Sequence, residues 1–298
     1  MIDRYHLRYF LAVVDTGNFS RAAGACHVSQ PTLSVGIAKL EQGLGQTLFH
    51  RSNRRVELTP AGAALLAHAR AIEAGFAAAE RAASGSATVP VLRLGILSTV
   101  PRRWTEDFLV RHAQDRASER LEIVEGGERD LRTRLARGRI DMALTILRDK
   151  ADRTSGRLVV SEGYSLALAA THPLSGRPAL RAEDLVHEPM LVRRHCELLP
   201  ETSRFFTARG VRPFFAARTT SDDKALAYVR AGLGLTVMPD GFVEAGVARV
   251  PMEDFAFRRD LGLVAAPHAD ARSLTSGRTA DRLADACTEA ASPAPRRP

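Results

Sequence analysis

The sequence contains little lysine, little cysteine and no long apolar run. Three of its 42 basic residues are lysines, so arginine supplies nearly all of the positive charge. Its cysteines, Cys26, Cys196 and Cys287, are too few and too widely spaced to indicate a disulfide framework or a metal site. No window reaches the roughly 18 uninterrupted apolar residues of a membrane span, and the start lacks a secretory signal. These absences predict a cytoplasmic protein with no metal and no other cofactor.

Length and positive charge are what the chain does have. Its 42 Lys and Arg residues outweigh 34 Asp and Glu residues, and the net charge of +8 favours an anionic partner such as nucleic acid or a membrane surface. The arginine excess suits recognition of phosphate and guanine, and it fits a biased codon usage equally well. With 298 residues the chain is long enough for two or three domains.

The chain divides into two parts with different residue patterns. The first 83 residues have apolar positions at helical spacing, whereas from Val91 onward short β-rich runs alternate with helical stretches, as in α/β domains. Small residues ending in Pro90 indicate a linker between them. The predicted units are a winged helix-turn-helix over 1–59, a linker helix over 60–83, a hinge over 84–90, an α/β region over 91–290 and a disordered tail over 291–298.

The first segment predicts three short helices. Ser29 is a good N-cap for the third, which carries Pro31 in its first turn and buries Leu33, Ile37, Leu40 and Leu44 at spacings of four, three and four. A tight turn precedes this helix. Three short helices with such a turn form a helix-turn-helix.

A small β-hairpin and a long helix follow. The hairpin crowds Arg51, Arg54 and Arg55 at its tip, like the wing of a winged helix, where these charges can reach backbone phosphates. In the helix, apolar residues recur at heptad spacing and form a seam for another helix: Leu65, Ala69, Ile72, Phe76, Ala79 and Ala83. We expect this seam to make a homodimer, although it can instead pack onto its own domain.

Several dense motifs resemble LysR-type transcriptional regulators. They include the runs Asn18-Phe19-Ser20-Arg21-Ala22-Ala23, Val28-Ser29-Gln30-Pro31-Thr32-Leu33-Ser34 and Leu58-Thr59-Pro60-Ala61-Gly62, with looser matches such as His172-Pro173-Leu174 farther on. The resemblance implies a DNA-binding regulator, not an enzyme. It also implies a two-lobed, periplasmic-binding-protein-like sensor domain, and a homotetramer.

Helical geometry refines the list of DNA contacts. The face opposite the buried stripe of the third helix offers its side chains to the major groove. Gln30, at the helix start, can pair with adenine, and Val35 can pack on a thymine methyl, although an exposed valine without a partner is common. The predicted contacts are Gln30, Pro31, Thr32, Ser34, Val35 and Lys39, with Arg51, Arg54 and Arg55 on the wing.

The second segment predicts two lobes joined by two crossings. Alternating strands and helices make the first lobe, about 91–162 with 266–290, and a second unit makes the other, about 163–265. Ligands of open α/β sheets bind beyond the carboxyl ends of the strands, which places an effector between the lobes. Its predicted contacts are Ser98, Thr99, Arg102, Glu128, Thr145, Arg194 and His195.

A small organic acid is the first effector hypothesis. Arg102 lies at a helix start that favours anions. Glu128 opposes this hypothesis, since an unpaired carboxylate repels an acid. Either Arg129 or another arginine neutralises it, or the ligand carries a cationic or donor group. Arg194 and His195 can face the cleft or belong to a solvated loop.

His195-Cys196 resembles the reactive His-Cys pair of family members that sense hydrogen peroxide. A neighbouring histidine and basic residues lower a thiol pKa. No second cysteine lies within several residues to resolve a sulfenic acid, because Phe205 and Phe206 occupy that neighbourhood. An ordinary loop cysteine is therefore the simpler interpretation.

Enzymes and solute-binding proteins are the alternatives from other classes. The sequence has no nucleophile elbow, phosphate loop or zinc-protease motif, which argues against catalysis. The winged helix argues against a plain solute-binding protein. The prediction is a regulator of double-stranded, pseudo-palindromic promoter sites that contacts RNA polymerase if it activates. Effector closure of the lobes would change the spacing or bend of two dimer-bound DNA sites.

Overall fold

The computed structural model of the chain describes residues 2–51, 56–84, 91–114, 119–267 and 274–291. Within these ranges it shows helices at the amino-terminal end and a mixed α/β arrangement after them, as the sequence predicts. None of the described helices is both long enough and apolar enough to cross a lipid bilayer. The tip of the predicted wing, residues 52–55, and the predicted tail, residues 292–298, lie outside the described residues.

The amino-terminal unit begins with three helices whose ends are capped as their sequences predict. Asn18 caps α2 by accepting a hydrogen bond from the Arg21 amide, and Ser29 caps α3 in the same way through the Thr32 amide. Gly45 ends α3 in a left-handed conformation with φ 65°. The bounds are Arg4–Thr16 for α1, Phe19–Ala25 for α2 and Gln30–Leu44 for α3.

A short wing and a long helix complete this unit. Strands β1 (Phe49–Arg51) and β2 (Val56–Leu58) pair antiparallel, and α4 spans Pro60–Ser84. The helices and the wing share one core, in which the most buried large side chains are Leu7, Phe10, Leu33, Ile37 and Leu48. Burial of these side chains against α1 leaves the opposite face of α3 free.

The predicted seam on α4 has two environments. Ala69 is buried in the core of its own domain, so part of the seam packs there. Farther along, Ile72 and Phe76 keep 39% and 41% of their surface exposed. The guanidinium of Arg4 covers one side of the Phe76 ring at 4.2 Å from its centroid. Only the later half of the seam is therefore available to another chain.

The first lobe is a sheet with helices packed on it. Strand β3 pairs in parallel with β4 and β5, as the alternation of elements predicts, and a later strand, β11, returns antiparallel beside β5. One core joins this sheet to its helices, with Trp104 and Phe108 fully buried. The elements are β3 (Val91–Leu97), α5 (Arg102–Gln114), β4 (Arg120–Gly126), α6 (Glu128–Ala136), β5 (Met142–Ile146), α7 (Lys150–Ser155), β11 (Arg258–Ala265) and α10 (Arg278–Ala291).

The second lobe contains a parallel pair of strands, β7 and β8, and two strands that pair with the long β6. A 3-10 helix, Ala182–Leu185, precedes β7. The elements are β6 (Arg157–Ala169), β7 (Met190–Arg193), α8 (Leu199–Ala208), β8 (Phe215–Thr219), α9 (Asp222–Arg230), β9 (Thr236–Pro239) and β10 (Val247–Val250). Its core is separate from that of the first lobe.

Strand β6 belongs to both lobes. Its first half pairs with β11 and its second half with β9 and β10. The expected end of the second lobe at residue 265 is therefore wrong, because residues 258–265 form β11 in the sheet of the first lobe. Leu261 and Leu263 of this strand are buried in the first core. The return crossing to the first lobe thus comes just before Arg258.

Candidate functional site

The exposed face of α3 carries the predicted DNA contacts. Gln30, Pro31, Thr32 and Lys39 are exposed, whereas Leu33 on the opposite face is fully buried. The Gln30 amide nitrogen donates a hydrogen bond to Ser34 Oγ at 2.9 Å, so these two side chains are held together. Nothing else in the described part of the chain covers the four exposed side chains.

Val35 stands out on this face because 55% of its surface is exposed. The next residue explains why α3 sits so close to α1. A Cβ added at Gly36 would come within 2.6 Å of the Tyr9 ring, so only glycine permits this approach. The close packing turns Val35 outward. Arg51 lies on β1, while Arg54 and Arg55 are outside the described residues.

A cavity of about 500 Å³ lies between the two lobes. Residues from both lobes and from β6 line it, among them Arg148 and Arg153 from the first lobe, Glu197 and Glu201 from the second, and Tyr164 from β6. None of the seven predicted effector residues is in this lining. The position of the cleft was predicted from topology, but the side chains that face it were not.

Buried charges tie the lobes together at this cavity. The Arg259 guanidinium of β11 donates to Glu162 on β6, 2.8 Å, and to Glu197 of the second lobe, 2.6 Å. Burial would lower the pKa of Arg259, but Glu162 and Glu197 raise it, so the guanidinium stays charged. The Arg259 guanidinium also donates two hydrogen bonds to Thr99, one to its hydroxyl oxygen and one to its carbonyl oxygen. Thr99 therefore supports Arg259 and is not a free effector contact.

Two carboxylate oxygens at the cavity have spare hydrogen-bonding capacity. Glu197 Oε1 accepts from Tyr164 and Arg259, whereas Glu197 Oε2 is buried with no hydrogen-bond partner among the described residues. Glu201 Oε2 is likewise buried with no hydrogen-bond partner among the described residues. Burial would raise the pKa of Glu197, but the charge of Arg259 lowers it, so this carboxylate is ionised. Residues that line the cavity thus carry two acceptor oxygens that the described part of the chain leaves unpaired.

Glu128 is neutralised by other arginines than its neighbour Arg129. Its oxygens lie 3.2 Å from Arg132 Nε and 2.7 Å from Arg148 Nη2. Arg132 also pairs with Asp152. Glu128 is therefore not the unpaired carboxylate that would repel an acidic ligand. Its pairing with Arg148, however, leaves that arginine already bound to a carboxylate.

The remaining predicted effector residues are dispersed. Arg102 is exposed, pairs with Glu106 at 2.7 Å, and lines a different depression with Asp223 and Glu244. Thr145 is fully buried and Ser98 is exposed. The strand ends carry these residues as the topology predicts, without bringing them around one cavity.

His195 belongs to a buried ion pair within the second lobe. The Arg193 guanidinium binds Asp222 through two hydrogen bonds of 2.5 and 2.7 Å, and His195 Nε2 lies 3.1 Å from the same carboxylate. Burial would raise the pKa of Asp222, but the contacts with His195 and Arg193 lower it to about 2. Arg194 is exposed. His195 therefore serves the fold of this lobe, and the effector role predicted for it has no support.

Cys196 borders this cluster. Arg193 Nη1 lies 3.5 Å from its sulfur. Burial raises the pKa of the Cys196 thiol, and the charge of Arg193 offsets this only in part. Cys26 belongs to the core of the amino-terminal unit and Cys287 to that of the first lobe, so neither adjoins Cys196. In the described part of the chain, no group of His, Cys, Asp and Glu side chains is arranged to hold a metal ion.

Comparison with known proteins assigns the family. Residues 5–63 match the profile of the bacterial regulatory helix-turn-helix protein, lysR family, and residues 86–291 match the LysR substrate binding domain. The chain belongs to the LysR family of transcriptional regulators. LysR-family membership makes it a DNA-binding transcriptional regulator with an effector-binding domain, and not an enzyme.

Individual relatives within the LysR family cover nearly the whole chain. A probable hydrogen peroxide-inducible genes activator of Mycobacterium avium is 37% identical over 87% of this chain and 86% of its own length. The DNA-binding transcriptional dual regulator OxyR of Escherichia coli is 30% identical over 90% of each. A full-length OxyR variant from Pseudomonas aeruginosa shares the fold, with a TM-score of 0.67, 23% identity, and coverage of 96% of this chain and 95% of that one.

Proposed function

We propose that the exposed face of α3 reads a promoter site and that the wing holds its phosphates. The observation that carries this proposal is the row of exposed side chains from Gln30 to Lys39 opposite the buried stripe of α3. Pro31 and Thr32, at the helix start, lie where a recognition helix approaches base edges and phosphates. The chain acts in the cytoplasm, where its DNA is.

Binding to DNA upstream of the chain's own gene tests this proposal. Fluorescence anisotropy should show tighter binding to that fragment than to a scrambled fragment of equal length. Gln30→Ala should reduce this preference, whereas Gln114→Ala, at an exposed position on α5 of the first lobe, should not. Equal affinity for both fragments would reject sequence recognition by this face.

The effector site that we propose is the cavity between the lobes. Three of the four arginines that line it are paired with carboxylates, Arg148 with Glu128, Arg153 with Asp260 and Arg259 with two glutamates, and the fourth, Arg258, donates to Ser161. Two acceptor oxygens of lining residues, Glu197 Oε2 and Glu201 Oε2, have no hydrogen-bond partner among the described residues. An effector with N–H or O–H donors, such as an amine, therefore fits better than the organic acid that the sequence suggests.

Calorimetry against a metabolite panel separates the two effector hypotheses. Amines and polyols should bind with measurable heat, and Glu201→Gln should weaken their binding. Binding only of carboxylates would reject the donor hypothesis and restore the organic acid. The variant Glu253→Gln is a suitable control, because Glu253 is an exposed glutamate of the same lobe that does not line the cavity.

A regulator of this kind works by shifting a population of states. Effector binding in the cleft favours one arrangement of the lobes, and that arrangement sets the spacing of two DNA-bound dimers. Dimerisation uses the exposed later half of the α4 seam, and dimers pair into a homotetramer. Contact with RNA polymerase follows where the regulator activates.

Peroxide sensing is the second candidate. It is supported by relatives named as peroxide-inducible activators and by Arg193 beside the Cys196 sulfur. The raised pKa of Cys196 opposes it, since the thiolate is the reactive form. We expect DNA binding to be unchanged by peroxide. A loss or gain of binding that Cys196→Ser abolishes would establish this candidate instead.

A further inference from the structure

A cavity of the second lobe lies outside the effector cleft. It has a volume of about 660 Å³ and lies between α8 and the β7–β8 pair. This size is within the range of about 300 to 1,000 Å³ that small-molecule sites occupy. The cavity and the cleft lie along the same helix, because Glu201 of α8 lines the cleft whereas Thr202 and Ser203 line the cavity.

The walls of this cavity are mostly apolar. Leu191, Leu199, Phe206, Val211 and Phe215 contribute hydrocarbon surface from β7, α8, β8 and the segment between them. Phe215 keeps 41% of its surface exposed, although it is a large apolar side chain beside a concave surface. Transfer of this apolar surface from water to a ligand would be favourable.

Two arginines supply positive charge at this cavity. Arg212 and Arg218 both line it and are exposed. Among the described residues neither has a carboxylate within salt-bridge distance, in contrast to most arginines of this lobe. The guanidinium of Arg218 lies 5.5 Å from the centroid of the Phe215 ring, so charge and apolar wall adjoin.

A third arginine at the cavity is not available to a ligand. Arg193 lines it, but its Nε and Nη2 donate to Asp222 and its Nη1 donates to the Val237 carbonyl oxygen. The uncompensated charge is therefore that of Arg212 and Arg218. An apolar body with one anionic end complements this arrangement, since arginine pairs with carboxylates through parallel hydrogen bonds.

We propose that this cavity is a second ligand site, separate from the cleft, that takes a small amphipathic carboxylate. The hydrocarbon part lies against Leu191, Phe206 and Val211, and the carboxylate binds Arg212 and Arg218. This inference does not depend on the identity of the cleft effector. A ligand here would contact α8 on the side opposite Glu201, and so could alter the cleft through that helix.

Decanoate, used below its micelle-forming concentration, is the probe for this site, with decanol as the neutral comparison. Calorimetry on the full chain should show decanoate binding at one site per chain, and decanol should bind at least about tenfold more weakly. The double variant Arg212→Gln/Arg218→Gln should lose about tenfold in decanoate affinity. Arg177→Gln, at an exposed arginine of the same lobe that does not line the cavity, should not change it.

A blocking variant locates the probe. Ser203 is exposed and lines the cavity, so Ser203→Trp fills the space without removing a core side chain. It should abolish decanoate binding while its melting temperature stays close to that of the parent. Absence of decanoate binding to the parent, equal binding of decanol, or unchanged binding by Ser203→Trp would each overturn the proposal. The cleft effector should still bind Ser203→Trp, which separates failure of this site from failure of the cleft.

Discussion

Arg259 Nη1 of the first lobe and Glu197 Oε1 of the second lie 2.6 Å apart, and both side chains are almost completely buried. The pair joins two lobes that have separate apolar cores. Glu162 on β6 holds the same guanidinium from the strand that both lobes share. A single arginine therefore links the walls of the effector cleft, and its loss should be felt in stability and in ligand response.

Replacing Arg259 by glutamine should destabilise the chain strongly. The variant leaves two buried carboxylates without their cation, which typically costs about 3 to 5 kcal/mol. Urea unfolding measures the change. Arg258→Gln is the matched control, since this neighbouring arginine is exposed, and it should change the free energy of unfolding by less than about 0.5 kcal/mol. Equal stability of the two variants would refute a structural role for Arg259.

Asp222 should make stability depend on acid pH. Its pKa of about 2 in the folded chain lies below its ordinary value of 3.8. A lowered folded pKa contributes stability above the ordinary value, and that stability is lost as the pH falls from 3.8 towards 2. The contribution is about 2 kcal/mol.

Unfolding curves between pH 5 and pH 2 measure this dependence. Asp222→Asn should be less stable at neutral pH and should have a shallower pH dependence in this window. Asp223→Asn, the exposed neighbour, should follow the parent. If Asp222→Asn kept the full pH dependence, other carboxyl groups would be responsible for it.

Val35 should read a thymine methyl. Its side chain is exposed on the face of α3 that we propose reads DNA, and it carries no hydrogen-bonding group. Val35→Ala should reduce discrimination at one thymine of the site by about 1 kcal/mol and leave the other positions unchanged. Binding to a set of single-base variants measures this. Unchanged discrimination at every thymine would show that Val35 is an exposed valine without a partner.

Lys39 should contact phosphate and not a base. Lys39→Gln should weaken binding to every sequence alike and reduce the slope of log affinity against log salt by about 1. Arg54→Gln on the wing should behave in the same way. A salt titration with specific and scrambled DNA tests both variants. A change in sequence preference with an unchanged salt slope would contradict the assignment.

Ile72 should stabilise the dimer. Its side chain is exposed on the later half of the α4 seam, next to Phe76. Ile72→Glu places a charge in the interface and should raise the dimer dissociation constant by at least about tenfold. Sedimentation at several concentrations measures it, with Ala71→Glu as the control on an adjacent face of α4. A dimer that tolerates glutamate at position 72 would assemble through another surface.

The sequence was sufficient where burial follows a regular period. The helices of the amino-terminal unit, the strand from Val91 to Leu97 and the cleft between two lobes were all predicted from spacing and topology. It was insufficient where charge is buried. The boundary between the lobes was predicted at about residue 163, yet β6 runs through this point without a break, and Glu162 is buried in it beside Arg259.

The same cause explains the residues that were missed in the cleft. Glu197, Glu201 and Arg259 are ordinary solvent-facing types by composition, and no local pattern marks them as cavity residues. The partner of Glu197 is Tyr164 and that of Arg259 is Glu162, both far away in the sequence. His195 was predicted to face the cleft because the sequence does not show that folding of the second lobe brings its ring next to Asp222. Long-range charge pairing, unlike helical period, leaves no trace in a single sequence.

The continuity of β6 limits how the two lobes move. A pair of flexible crossings would let the lobes swing apart freely, but β6 carries hydrogen-bonded neighbours along both halves. No neighbouring strand pairs with both halves, because the β11 pairing ends at Gly163 and the β9 pairing begins at Tyr164, so a rotation at this point keeps both ladders intact. We expect the lobes to move by a twist about β6 at this point. An effector in the cleft would then transmit torque to the DNA-bound dimers, so the output of this regulator would be a rotation.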